Sequence, residues 1–250
     1  MDRRVMQQAS ATDRRPDLPG ARGFVAVLLA LVLPLSLLAA GTSVLPGDVA
    51  MTRMVQTQLP SFLEPLVIAG NVLGLAPVLI AIALFTAGTL AAKGHRQLAL
   101  LVASASLAQL ANVMLKLTLE SPRPTSNLVL VSEDATGYGF PSGHTMGTTV
   151  IALMLFYVVT RLMAPGVMRR VVLTTLLFVP FMTGIARIET GAHWPSDVLG
   201  AWLWGTLAAI AILTYAPRTF DMLPALAARL RTTRALGRTA TTSDIRSTTP

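Results

Sequence analysis

Residues 171–217 read VVLTTLLFVPFMTGIARIETGAHWPSDVLGAWLWGTLAAIAILTYAP, two long apolar runs that meet at a short segment carrying Arg187, His193 and Asp197. A helix needs about 20 residues to cross a hydrocarbon core, since roughly 30 Å must be covered at about 1.5 Å per residue. The runs at about 171 to 187 and about 197 to 217 meet that length or come close, so each is read as a spanning helix. Four further stretches behave alike, at about 23 to 44, 65 to 92, 97 to 116 and 144 to 160. The expected fold is all-α, a polytopic bundle of six transmembrane helices over residues 23–217. A polar tail precedes it at 1–22, and a basic, partly disordered tail follows at 218–250.

Composition points the same way, with 53% hydrophobic residues against 13% charged in a chain of 250. Cysteine is absent, which excludes disulfides, thiolate metal sites and a cysteine nucleophile. The net charge of +8 could suggest nucleic acid, but its distribution has another cause. Of the 20 Lys and Arg, sixteen fall in the tails and in the connections at Lys93, Arg96, Arg161, Arg169 and Arg170; only Arg53, Lys116, Arg123 and Arg187 fall on the other side. The positive-inside rule then places both termini in the cytoplasm, and no nucleic-acid partner is expected. The lead-in before Leu38-Ala39-Ala40 also has the outline of a secretory signal. Its apolar run is longer than usual, so a retained first helix is expected.

Outside the spans, Leu45 to Leu59 is too polar to cross and is either a short interfacial helix capped near Pro46-Gly47-Asp48 or a plain connector. Phe220 to Leu236 is either an amphipathic helix on the inner leaflet or a solvated basic tail. Trp194, Trp202 and Trp204 are expected at the interface and on a bundle face. Gln109 and Asn112, on the helix face of Lys116, are expected to hydrogen-bond between helices.

Charges are costly in a bilayer and collect at helix ends. Lys116 ends the third helix, His144 opens the fourth, Arg187 ends the fifth, and His193 and Asp197 open the sixth. By parity these ends share one face, which the charge count makes extracytoplasmic, and Arg123 lies beside them. Three cations, two imidazoles and a carboxylate at a membrane surface suit a multiply charged anion, with phosphate the obvious candidate. Pro141-Ser142-Gly143-His144 opens a helix, so its free N–H groups can hold phosphate oxygens while Gly143 lets the backbone approach.

These residues resemble the motifs of the type 2 phosphatidic acid phosphatase superfamily of membrane lipid phosphatases. Lys116 to Arg123-Pro124 matches the first motif, Pro141-Ser142-Gly143-His144 the second, and Arg187, His193 and Asp197 the third, with Ala186 where the family has serine. The resemblance implies that His193 attacks phosphorus, that Asp197 orients its imidazole, and that His144 protonates the leaving oxygen and then activates water. Lys116, Arg123, Arg187 and the N–H groups near Ser142 and Gly143 would bind the phosphate. Thr183 or Thr190 could replace the missing hydroxyl. No metal or cofactor is expected; the partners are the bilayer and a lipid phosphate or diphosphate. Undecaprenyl diphosphate, phosphatidate, phosphatidylglycerol phosphate and lipid A phosphate all fit, and the oligomeric state stays open. Rival readings are a lipid phosphotransferase sharing the phosphohistidine, an anion transporter and a silent scaffold.

Overall fold

The structure is a computed structural model that describes residues 21–216 apart from Ser43 and Asp134. The tails and the Phe220–Leu236 segment lie outside the described residues. Nine α-helices are described: α1 Ala21–Gly41, α2 Asp48–Gln58, α3 Glu64–Gly74, α4 Ala76–Ala92, α5 Arg96–Ser104, α6 Leu107–Leu119, α7 Gly143–Leu162, α8 Val167–Glu189 and α9 Pro195–Ala216. A 3-10 turn, Ser61–Leu63, leads into α3. No strand occurs among the described residues.

Among the described residues, five spans are long and apolar enough to cross a membrane: Arg22–Gly41, Arg96–Leu119, Gly143–Leu162, Val167–Glu189 and Pro195–Ala216. The pair Ser61–Gly74 and Ala76–Ala92, bent by 73°, makes a sixth if it is one broken span. The stretch expected at 65 to 92 is thus two helices that meet at a sharp bend. Leu75 is extended at φ −61°, ψ 130°, and Pro77 sits in the first turn of α4. Proline has no N–H to give and its ring crowds the carbonyl four residues back, so the helix stops and restarts. The third span is likewise two helices, α5 and α6, separated by a turn at Ala105 and Ser106.

The segment from Leu45 to Leu59 resolves in favour of a helix, α2, entered through Gly47 at φ 93°. α8 packs against α7 and α3. The apolar core gathers Leu79 and Ala83 of α4, Val102 of α5, Val150 and Met154 of α7 and Ala209 of α9. Nearer the start of α7 the buried side chains turn polar. Thr145, Thr148 and Thr149 are buried there, and the hydroxyls of Thr148 and Thr149 each donate to a carbonyl one turn back, which satisfies them without water.

Candidate active site

The end of α6, the starts of α7 and α9 and the end of α8 converge on one face. Ser142 N–H donates to Asp197 O at 3.2 Å, which ties the starts of α7 and α9 together. Asn112 Nδ2 donates to Pro141 O at 3.2 Å and holds the turn before α7 from the side of α6. The interhelical role expected for Asn112 is observed. Gln109 rests against Gly147, where a Cβ would meet its Nε2.

α9 opens with Pro195 in its first position, where a missing N–H costs nothing. Asp197, two residues on, accepts the Trp194 N–H at 3.0 Å on Oδ2 and so caps the helix. The same oxygen lies 3.2 Å from His193 Nδ1. Capping and orienting the imidazole are therefore one arrangement. The opposite ring nitrogen, His193 Nε2, lies 3.1 Å from Arg123 Nη1. A guanidinium can only donate, so Nε2 must be the acceptor and the ring proton belongs on Nδ1, facing Asp197. Burial pushes the His193 pKa well below 6.5, and the charges of Lys116, Arg123 and Arg187 and the nearby His144 push it the same way. The imidazole is neutral, with its lone pair among cations.

The cations are held by backbone oxygens. Lys116 Nζ donates to Tyr138 O and to Gly139 O, the latter at 3.0 Å. Arg123 donates to Gly137 O at 2.9 Å, Thr136 O at 3.0 Å and Ala192 O at 2.7 Å. Carbonyls fix the position of these side chains without cancelling their charge. Arg187 is different: 2% exposed, it donates from Nη1 to Asn71 Oδ1 at 3.0 Å and grips Glu133 at 2.6 and 2.8 Å through both terminal nitrogens. That pair holds the Glu133 carboxyl below its usual range. Arg187 Nε is buried with no partner, a donor still awaiting an acceptor.

At the turn before α7, Ser142 is the N-cap, and no side chain caps the helix. Its first-turn N–H groups have no acceptor within the helix. A Cβ on Gly143 would lie 3.1 Å from Asn112 Oδ1, so the turn and α6 sit close. His144, one residue in, packs on Gly74 at the break between α3 and α4, where a Cβ would come within 2.6 Å of its ring. The eight site residues read from the sequence, Lys116, Arg123, Ser142, Gly143, His144, Arg187, His193 and Asp197, thus lie around one site.

Two expectations are corrected. Trp194 is no interfacial anchor: it is 2% exposed, because its backbone belongs to the capped start of α9, deep in the site. Neither Thr183 nor Thr190 reaches the Arg187 guanidinium; their hydroxyls donate to Gly70 O and to Ala186 O. The guanidinium is instead held by Asn71 and Glu133.

Asp48 was also missed as part of the site. Buried at the start of α2, it accepts Ser196 N–H at 3.0 Å on Oδ1 and Ser196 Oγ–H at 2.8 Å on Oδ2. It fastens α2 to the start of α9 and braces the His193–Asp197 pair. Only its charge beside Gly47 was visible in the sequence, and that reads equally as a local cap.

The model of the PAP2 superfamily matches residues 97–221. No curated protein matches. Among solved structures, the first transmembrane PAP2 type phosphatidylglycerolphosphate phosphatase from Bacillus subtilis superposes with a TM-score of 0.64 at 21% identity, covering 79% of this chain and 96% of that one. Aquifex aeolicus LpxE superposes with a TM-score of 0.55 at 23% identity, covering 69% and 98%. Both likenesses are of fold.

Proposed function

The chain belongs to the PAP2 superfamily of phosphatases, and from that premise we propose that it hydrolyses a lipid phosphate or diphosphate through a phosphohistidine on His193, at the extracytoplasmic face. The observation that carries this reading is the two-sided engagement of His193, with Asp197 on Nδ1 and Arg123 on Nε2.

An incoming phosphate draws the Arg123 N–H onto one of its own oxygens and leaves the Nε2 lone pair facing phosphorus. Nε2 forms the new bond to phosphorus as the bond to the lipid oxygen breaks, and His144 gives that oxygen its proton. The phosphorylated ring keeps its Nδ1 proton and becomes cationic, a charge that Asp197 offsets. Lys116, Arg123, the free Nε of Arg187 and the first-turn N–H groups of α7 stabilise the equatorial oxygens. Water then attacks phosphorus, His144 takes its proton, and release of phosphate restores the lone pair.

Rapid quenching during turnover of a radiolabelled lipid phosphate should leave acid-labile, alkali-stable label on the chain, and none on His193→Ala. Turnover without any such label would end the covalent mechanism. Sidedness rests on the sixteen-to-four charge distribution. An impermeant thiol reagent on intact cells should modify Ser132→Cys, whose position is exposed beside the site, and spare Ser243→Cys. The reverse pattern would turn the site toward the cytoplasm.

A further inference from the structure

α8 starts on the face opposite the active site, and two open hollows flank its first turns. One, of about 610 Å³, is lined by Pro165, Gly166, Arg169, Arg170 and Leu173. The other, of about 440 Å³, follows Val167, Arg170, Val171, Thr174, Thr175 and Phe178, which recur at spacings of three and four and so form one stripe of the helix. Arg170 belongs to both. Arg187 lies 17 residues further along α8, roughly 26 Å at about 1.5 Å per residue, so the two ends meet different leaflets.

The charge at this end is uncancelled. Arg169 donates from Nη1 to Met163 O at 3.3 Å, and the exposed Arg170 guanidinium has no partner among the described residues. No carboxylate of the described residues lies nearby: Asp48, Glu64, Glu120, Glu133, Glu189 and Asp197 all belong to the active-site end. One turn further into the membrane the stripe carries Thr174 and Thr175, both exposed, and neither hydroxyl makes a hydrogen bond among the described residues. The exposed Thr89 and Thr118, by contrast, each donate to the carbonyl four residues back. A cation, then two open hydroxyls, then Phe178 follow the order of a phospholipid: phosphate, ester carbonyls, hydrocarbon.

We propose that the start of α8 binds one anionic phospholipid of the leaflet opposite the active site. Its phosphate rests on Arg169 and Arg170, its ester carbonyls on Thr174 and Thr175, and an acyl chain along Val171 and Phe178. This phosphate lies nearly a membrane's width from His193, so the lipid is a bound ligand and not a substrate, whatever the reaction at the other end. The charge distribution makes that leaflet the cytoplasmic one, whose anionic lipids are drawn to basic segments. A lipid that binds only the folded bundle stabilises it.

The test titrates the full chain in neutral detergent with phosphatidylglycerol, or with phosphatidylcholine of the same acyl chains. Native mass spectrometry should show the anionic lipid retained more strongly, and the midpoint of thermal unfolding should rise with it. Arg170→Gln should raise the apparent dissociation constant for phosphatidylglycerol by about tenfold, the scale of one lost charge-assisted contact. Arg96→Gln, an exposed arginine at the start of α5, should leave it unchanged. Thr174→Val with Thr175→Val, which keeps the shape and removes both hydroxyls, should raise it about threefold. Equal retention of the two lipids, or an equal loss in Arg96→Gln, would reduce the patch to diffuse surface charge and overturn the site. An unchanged constant in the double valine variant would overturn the placing of the esters. A change of oligomeric mass in Arg170→Gln would make this face an interface between copies and overturn the lipid as its occupant.

Discussion

Two helices in this bundle begin with the same dipeptide and do opposite things with it. α7 starts after Pro141-Ser142, with Ser142 as N-cap and no side chain on the first-turn N–H groups. α9 takes Pro195-Ser196 inside its first turn, and there the donors are filled: Asp197 takes the Trp194 N–H, and Asp48 takes both the N–H and the hydroxyl of Ser196. A two-position shift in where the helix begins separates an open end from a closed one. The open end can receive an anion, since free donors and the helix dipole favour negative charge. The closed end cannot, but it is stiff, and stiffness suits the mount of a nucleophile.

The sharpest way to break this contrast is to remove what the closed end carries. His193→Ala should lower kcat by at least about 10³-fold, because a covalent route is lost and not merely a contact. The chain should remain folded, so the elution profile in detergent should match the parent. Near-parental turnover would overturn the role of α9.

Asp48→Asn loosens the mount without touching the imidazole. The amide keeps one acceptor but puts a donor where the other oxygen stood, and losing that buried, charge-assisted hydrogen bond should cost about 1–3 kcal/mol in unfolding free energy and about tenfold in kcat, with KM little changed. A variant that loses stability but keeps kcat would make Asp48 a fastener of α2 alone. Gly143→Ala probes the open end. Its new methyl crowds Asn112 and the anion seat, so KM for substrate should rise about threefold to tenfold while stability holds, alanine being the better helix former.

The acidic limb of kcat/KM sharpens the electrostatic half of the comparison. A His193 pKa lowered below 6.5 keeps the nucleophile neutral as pH falls through 6.5, and activity should be lost only well below it. Lys116→Met removes one of the charges that lower it, so the limb should move up toward 6.5. Smallest of all should be the effect of excess EDTA, which should leave turnover unchanged, since Lys116 and Arg123, held by carbonyls and not by a carboxylate, already supply positive charge at the phosphate.

The gathering of the site residues was legible because they sit at helix ends in short local runs. His193 and Asp197 are four residues apart and Lys116 and Arg123 seven, so helix-end parity and the resemblance to the family's motifs set them out. What escaped the reading is held together across the chain: Asp48 meets Ser196 at a separation of 148 residues, Asn71 meets Arg187 at 116, and Glu133 meets it at 54. A lone acid in a loop carries no sign of a partner so distant. The spans were visible from hydropathy, which is continuous through Leu75 and hides the 73° bend. Pro77 was the available signal and an ambiguous one, since Pro34 and Pro180 sit inside unbroken α1 and α8.

The reach from Asp48 to Ser196 also orders events in time. Synthesis runs at about 5–20 residues per second, so Asp48 waits on the order of ten seconds before the serine that will pair with it exists. Until then its carboxylate must stay hydrated at the membrane surface, because burying it alone would be prohibitive. Docking of α9 is what lets it go under, and the same event delivers His193 to the cations. The newborn chain thus completes the His193–Asp197 pair last, when nearly every other part of the bundle is in place.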